Sequence, residues 1–138
     1  MKISIRPFTE EDCESVIKLW EKVFPEALPH NNPVSDLKTR REAPPELFLV
    51  AIGEEGIAGT VMAGYDGQQG WVYYLGVDPA LRRQRIGTSL MKRVEARLIG
   101  MGCREIHLQI WASKAEVQAF YESLGYISEG RQSMGIRL

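Results

Sequence analysis

The segment from Trp71 to Leu98, WVYYLGVDPALRRQRIGTSLMKRVEARL, constrains the fold more than any other stretch of the chain. Residues 71–77 are aromatic and β-branched, which predicts a strand. Ile86, Leu90, Val94 and Leu98 recur at helical spacing and predict a helix over 86–99, ending at Gly100 or Gly102. Between them lie Arg82, Arg83 and Arg85. A helix N-terminus carries roughly half a positive charge and favours acids, so three cations there are misplaced unless an anion joins them. Gly87 costs about 1 kcal/mol relative to Ala inside a helix, which makes sense if something approaches the backbone closely. A second reading stays open: Asp78 caps a helix that begins early at Pro79, and the arginines lie on its solvated face. No GK[ST] follows, so a nucleoside triphosphate loop is not predicted.

At 138 residues the chain is predicted to form one domain, residues 1–138, able to bury a core without staples. Seventeen basic against eighteen acidic residues leave a net charge of −1, which argues against nucleic acid or a membrane surface as partner. No apolar run approaches the roughly 18 residues of a membrane span. Cys13 and Cys103 form no CxxC pair and read as thiols in a reducing cytoplasm.

The other elements follow from periodicity. KISIR alternates as a short strand; Thr9 and Asp12 form a weak capping box before a helix over 10–24, carrying Val16, Ile17, Trp20 and Phe24 on one face. Residues 24–46 are rich in proline and charge, with one short helix expected near 34–42. LFLVAIG (47–53) is continuously apolar, as in a central strand, and IAGTVMAGYDG (57–67) is the next strand. EIHLQIW (105–111) alternates, with Ile106, Leu108 and Ile110 on one face and His107, Gln109 and Trp111 on the other. Ser113 and Glu116 make a capping box before a helix bearing Phe120, Tyr121 and Leu124. Residues 126–129 and 133–138 are expected to be terminal strands. The fold class is therefore α/β (α+β) with a mixed sheet: an antiparallel meander, then a helical crossover that leaves strands 71–77 and 105–111 parallel.

The arginine turn resembles the acetyl-coenzyme A signature of the GNAT superfamily of N-acetyltransferases, [QR]-x-x-G-x-[GA], at Arg82, Arg83, Gln84, Arg85, Ile86 and Gly87. Arg85 stands where the family usually has its first glycine. KISIRPFTEEDCESVIKLW is similar to the family's opening strand and helix, and FYESLGY to its late helix. The resemblance covers essentially the whole chain and implies the GNAT fold: the meander, a splayed parallel pair and about four helices. It also implies acetyl-CoA as co-substrate and no metal. The backbone of Leu75, Gly76 and Val77 would pair with the pantetheine arm, Gly76 permitting a bulge. Amides of residues 83–88 would hold the pyrophosphate, with the Thr88 hydroxyl. Lys114 would be a further cofactor contact. Arg85 can offer its N–H if φ is negative, and is strained if the turn needs positive φ.

The implied reaction is direct attack of a primary amine, on a small molecule or a peptide, upon the thioester. Tyr121 matches the family's general-acid tyrosine; a core aromatic is the alternative reading. The general base stays open. Gln109 stands where some relatives carry glutamate and cannot take a proton, which leaves His107, Asp66, Glu26, Tyr73 or a water. A non-catalytic acyl-CoA-binding module is the rival reading. A homodimer through the C-terminal strands is compatible with the family, and nothing in the sequence demands it.

Overall fold

A computed structural model describes residues 2–25, 45–110, 115–136 and 138. The chain divides into two compact units, Met1–Leu108 and Gln109–Leu138. In the first unit five strands lie in the order β1 (Ser4–Pro7), β2 (Phe48–Gly53), β3 (Gly56–Tyr65), β4 (Gln69–Val77) and β5 (Glu105–His107). The first four form an antiparallel meander, and β5 joins β4 in parallel. Helix α1 (Cys13–Val23) follows β1, and α2 (Ile86–Gly100) makes the crossover from β4 to β5.

The continuous apolar run of β2 is buried from Phe48 to Ala51, as a central strand requires. Phe48 and Val50 cluster with Val16 and Trp20 of α1 and with Met62. The alternate residues Leu49 and Ala51 point by the two-residue period to the opposite face. There α2 packs on β2, β3 and β4 through Ile86, Leu90, Met91, Val94 and Leu98.

Two glycines bring the helices down onto the C-terminal end of β4. A Cβ on Gly76 would lie 2.9 Å from the Phe24 ring and 3.0 Å from Val23, so α1 can close on the strand only without a side chain there. A Cβ on Gly59 would lie 2.9 Å from the Gly76 carbonyl and 3.1 Å from Leu90, which admits the first turns of α2.

The expected helix over 10–24 starts as a 3₁₀ turn at Glu10–Asp12 before α1 proper. Asp12 ties this start to β1. Its Oδ2 accepts the Thr9 N–H at 2.8 Å, and Arg6 grips both carboxylate oxygens at 2.7 and 2.9 Å. In the second unit, α3 (Ala115–Ser123) carries a half-buried Phe120 and a buried Tyr121.

Three α-helices are present among the described residues, and the one expected near 34–42 lies outside them. Two expectations are corrected. β5 stops at His107, and His107 is buried while Ile106 is only half-buried. The terminal strands do not form among residues 126–136 and 138: a strand needs a ladder partner, and Ile127, Met134 and Ile136 are exposed instead. Ser113 and Trp111 lie outside the described residues.

The Arg6 guanidinium, with the Thr9 N–H, holds the Asp12 carboxyl below its ordinary range. Stability from this pair is complete above the unfolded carboxyl's pKa of about 4 and is lost as pH falls through the lower folded value. Denaturant midpoints followed from pH 7 to pH 3 should therefore drop less in Asp12→Asn than in wild type. Parallel drops would contradict this role.

Candidate functional site

The parallel ladder between β4 and β5 is short. It pairs Gln69 with Glu105, Gly70 with Ile106 and Trp71 with His107, then stops, while β4 runs on to Val77. The last residues of β4 thus have a ladder to β3 on one edge and none to β5 on the other. Leu75, Gly76 and Val77 all lie in this stretch.

The bulge expected at Gly76 sits elsewhere. Gly76 pairs in register with Thr60, and the shift occurs between the Thr60–Gly76 and Met62–Tyr73 pairs, so Tyr74 and Leu75 together oppose Val61. Tyr74 takes the strain with φ +49°. Gly76 is glycine for close approach of α1, not for backbone freedom. Tyr74 is held by stacking on Trp20, ring centroids 4.1 Å apart, and by the edge of Phe24 at 5.4 Å.

After Val77, Asp78 accepts the Ala80 N–H at 3.0 Å and caps one 3₁₀ turn, Pro79–Leu81. Lys22 of α1 reaches the same carboxylate at 3.3 Å. The Ala80 N–H, first, holds this carboxyl below its ordinary range. The chain then leaves the turn, with Arg82 extended at ψ 160°. A continuous helix from Pro79 is therefore not formed, and the reading of the arginines as one solvated helix face falls.

Helix α2 begins at Ile86, and its N-cap residue is Arg85 in the left-handed region, φ +63°. The first rung of its ladder runs from the Ser89 N–H to the Arg85 carbonyl, 3.0 Å. The amides of Ile86, Gly87 and Thr88 therefore have no acceptor in the helix. A Ser, Asp or Asn at the N-cap would satisfy one of them, Gly87 or Thr88, with its own oxygen. Arginine has no acceptor to give, and no side-chain cap is made. The first turn also holds no acid. Arg82, Arg83, Gln84 and Arg85 are all exposed, with Arg83 a second left-handed residue at φ +66°. Ile86 is buried and anchors the turn, while Gly87 and Thr88 are half-buried. Amide donors, a positive dipole and exposed guanidinium groups thus share one place, and a phosphate-bearing ligand fits it.

The remaining candidates are spread over both units. His107, 5% exposed, has its Nε2 3.4 Å from Glu105 and its ring against Trp71. Asp66 accepts the Gln68 and Gln69 amides at 2.8 and 2.7 Å, and these bonds, Gln69's first, keep it below the ordinary carboxylate range. That makes it a poorer base. In the second unit, exposed Gln109 donates to Ser133 at 2.7 Å. Tyr121 packs on Phe120 and Tyr126, and burial pushes its phenol up to about 12. Lys114 and Glu26 lie outside the described residues. No group of three or more His, Cys, Asp or Glu side chains suited to a metal occurs among the described residues. No described helix is long and apolar enough to cross a membrane.

The acetyltransferase (GNAT) family profile matches residues 13–126. This chain belongs to that family. An acetyltransferase of Pectobacterium atrosepticum is 41% identical over 137 residues, 99% of this chain and 96% of that protein. The fold is shared with the crystal structure of Ard1 from Thermoplasma volcanium: TM-score 0.80, 21% identity, 92% of this chain and 84% of that one. It is shared also with the aminoglycoside N-acetyltransferase AAC(6')-Iy in complex with CoA: TM-score 0.80, 17% identity, 99% and 95% of the two chains.

A positive φ costs a non-glycine residue about 1–2 kcal/mol, partly offset by the looser unfolded chain of a glycine variant. Arg85→Gly should therefore raise unfolding stability by about 0.5–1 kcal/mol in urea melts. A loss of stability would contradict the observed backbone.

Proposed function

We propose that this GNAT chain is an acetyl-CoA-dependent N-acetyltransferase, residues 1–138 acting as one domain, with a primary amine of a small molecule or peptide as acceptor. The observation that carries the reading is the uncapped start of α2 beside exposed Arg82, Arg83 and Arg85. Support comes from the family match, which runs across both units, and from the CoA and aminoglycoside named for a neighbour of the same fold. Two free thiols fit a cytoplasmic setting.

The amides of Ile86, Gly87 and Thr88 bind the diphosphate, with the Thr88 hydroxyl beside them. The backbone N–H of Gln84 widens the cradle. Arg83 and Arg85, both left-handed rather than at the negative φ on which the Arg85 N–H depended, act through their guanidinium groups, which with that of Arg82 neutralise the phosphates. Leu75, Gly76 and Val77 offer main-chain bonds to the pantetheine arm along the edge of β4 that β5 leaves open, and Lys114 is a further contact. The bound thioester supplies an activated acetyl carbonyl. Tyr121 is the catalytic residue and donates a hydrogen bond to the sulfur. Complete proton transfer from a phenol near 12 to a thiolate of pKa about 8.5 would be uphill by roughly 5 kcal/mol.

An acceptor amine with pKa about 10.4 is neutral in less than about 0.1% of molecules at pH 7. Gln109 cannot accept a proton and Asp66 is engaged by its own turn, which leaves His107, Tyr73, Glu26 or a water to take it. Gln109 in place of a glutamate and Arg85 in place of the motif glycine keep a second reading open, a module that binds acyl-CoA without turnover.

A CoA-release assay over a panel of amines, amino acids, polyamines and peptides separates the readings. Turnover should appear with at least one amine, with kcat/KM rising about tenfold per pH unit between about pH 6 and 9, and no falling limb there. Tyr121→Phe should lower kcat about 100-fold with CoA binding retained. CoA binding without turnover of any amine would favour the second reading.

A further inference from the structure

Thr60 is fully buried on β3 and its hydroxyl makes two hydrogen bonds. It accepts from Trp20 Nε1 at 2.9 Å and donates to the Tyr74 carbonyl at 2.8 Å. The direction is forced. An indole N–H can only donate and a carbonyl can only accept, so the single hydroxyl proton must point at Tyr74. That carbonyl belongs to the bulge, where two residues of β4 face one of β3 and the ladder is interrupted. The Thr60 hydroxyl thus satisfies a main-chain acceptor at the interruption.

The same three residues are locked from the α1 side. Trp20, 0% exposed, stacks on the Tyr74 ring while its N–H holds Thr60. The Tyr74 peptide is therefore fixed through both ring and carbonyl. Its orientation sets how Leu75 and Gly76, next in the chain, present their backbone on the edge without β5.

We propose that Thr60, oriented by Trp20, is a positioning residue for the acyl-CoA. By holding the Tyr74 carbonyl, it fixes the direction of the Leu75 and Gly76 main-chain groups that bind the pantetheine arm. The inference rests on the acyl-CoA reading given above. Nothing about it depends on which amine is acetylated.

The test compares Thr60→Val, which keeps shape and loses the hydroxyl, with Thr60→Ser, which keeps the hydroxyl. CoA Kd is read by calorimetry, KM for acetyl-CoA and for the amine by steady-state kinetics, and folding by urea melts. Thr60→Val should bind CoA about tenfold more weakly and raise the KM for acetyl-CoA alike, with the amine KM unchanged. Thr60→Ser should stay within about twofold of wild type. A merely structural threonine would lower the urea midpoint of Thr60→Val and leave the Kd of the folded protein unmoved, which would overturn the proposal. If Thr60→Val does not fold, Thr60→Cys replaces it, with the same weakening expected from its poor donor. Failure of both to fold makes Thr60 a residue of the fold alone and also overturns it. Wild-type protein that binds no CoA would instead remove the acyl-CoA reading, a result distinct from equal binding by wild type and Thr60→Val.

Discussion

The first three amides of α2 cannot be bonded within their own helix, and the residue at the cap has no oxygen to offer them. Donors in that condition must meet water or a ligand. They are held at the end of β4, by Ile86 and Leu90 packed over the missing Cβ of Gly59. The arginines beside them add charge of the sign that the helix dipole already has, which repels until an anion arrives. Arg83 and Arg85 are also bent into the left-handed region. Local stability is given up there on several counts at once, a pattern expected of a binding turn rather than a structural one.

The strand that feeds this turn is shaped by what lies on its two edges and two faces. β5 pairs with it only as far as Trp71, so the later residues have no β5 neighbour on that edge. α1 presses on Gly76 from one face and stacks Trp20 on Tyr74, and Thr60 takes up the carbonyl at the bulge. The aromatic cluster near the first helix is thus part of the core and also a jig for the backbone of β4. Asp78 extends the same linkage past the strand, capping its 3₁₀ turn while meeting Lys22 of α1.

Much of this was legible in the sequence because it is written in periodicity and in residue type. The apolar run of 47–53 marked a buried central strand, and Ile86, Leu90, Val94 and Leu98 marked the buried face of α2. The Thr9–Asp12 capping box was readable too, but not that Arg6 would complete it from β1. The family resemblance implies a bulge at Gly76, where glycine would supply backbone freedom. In fact Gly76 is needed for contact, and Tyr74 bears the positive φ. No local pattern distinguishes these, since the deciding partner, Phe24, is far away in the sequence. Thr60 was invisible for the same reason: a threonine in a strand is ordinary, and its importance comes from Trp20 and Tyr74, both remote. The pairing of residues 126–138 was overestimated because alternation alone does not supply a neighbouring strand.

The account turns on the amides of Ile86, Gly87 and Thr88 as diphosphate donors. A titration of ¹⁵N-labelled protein followed amide by amide tests this most directly. With CoA, and with adenosine diphosphate alone at higher concentration, these three amides should show the largest shifts, and pantetheine should leave them unmoved. Saturation with CoA that leaves all three in place would contradict it.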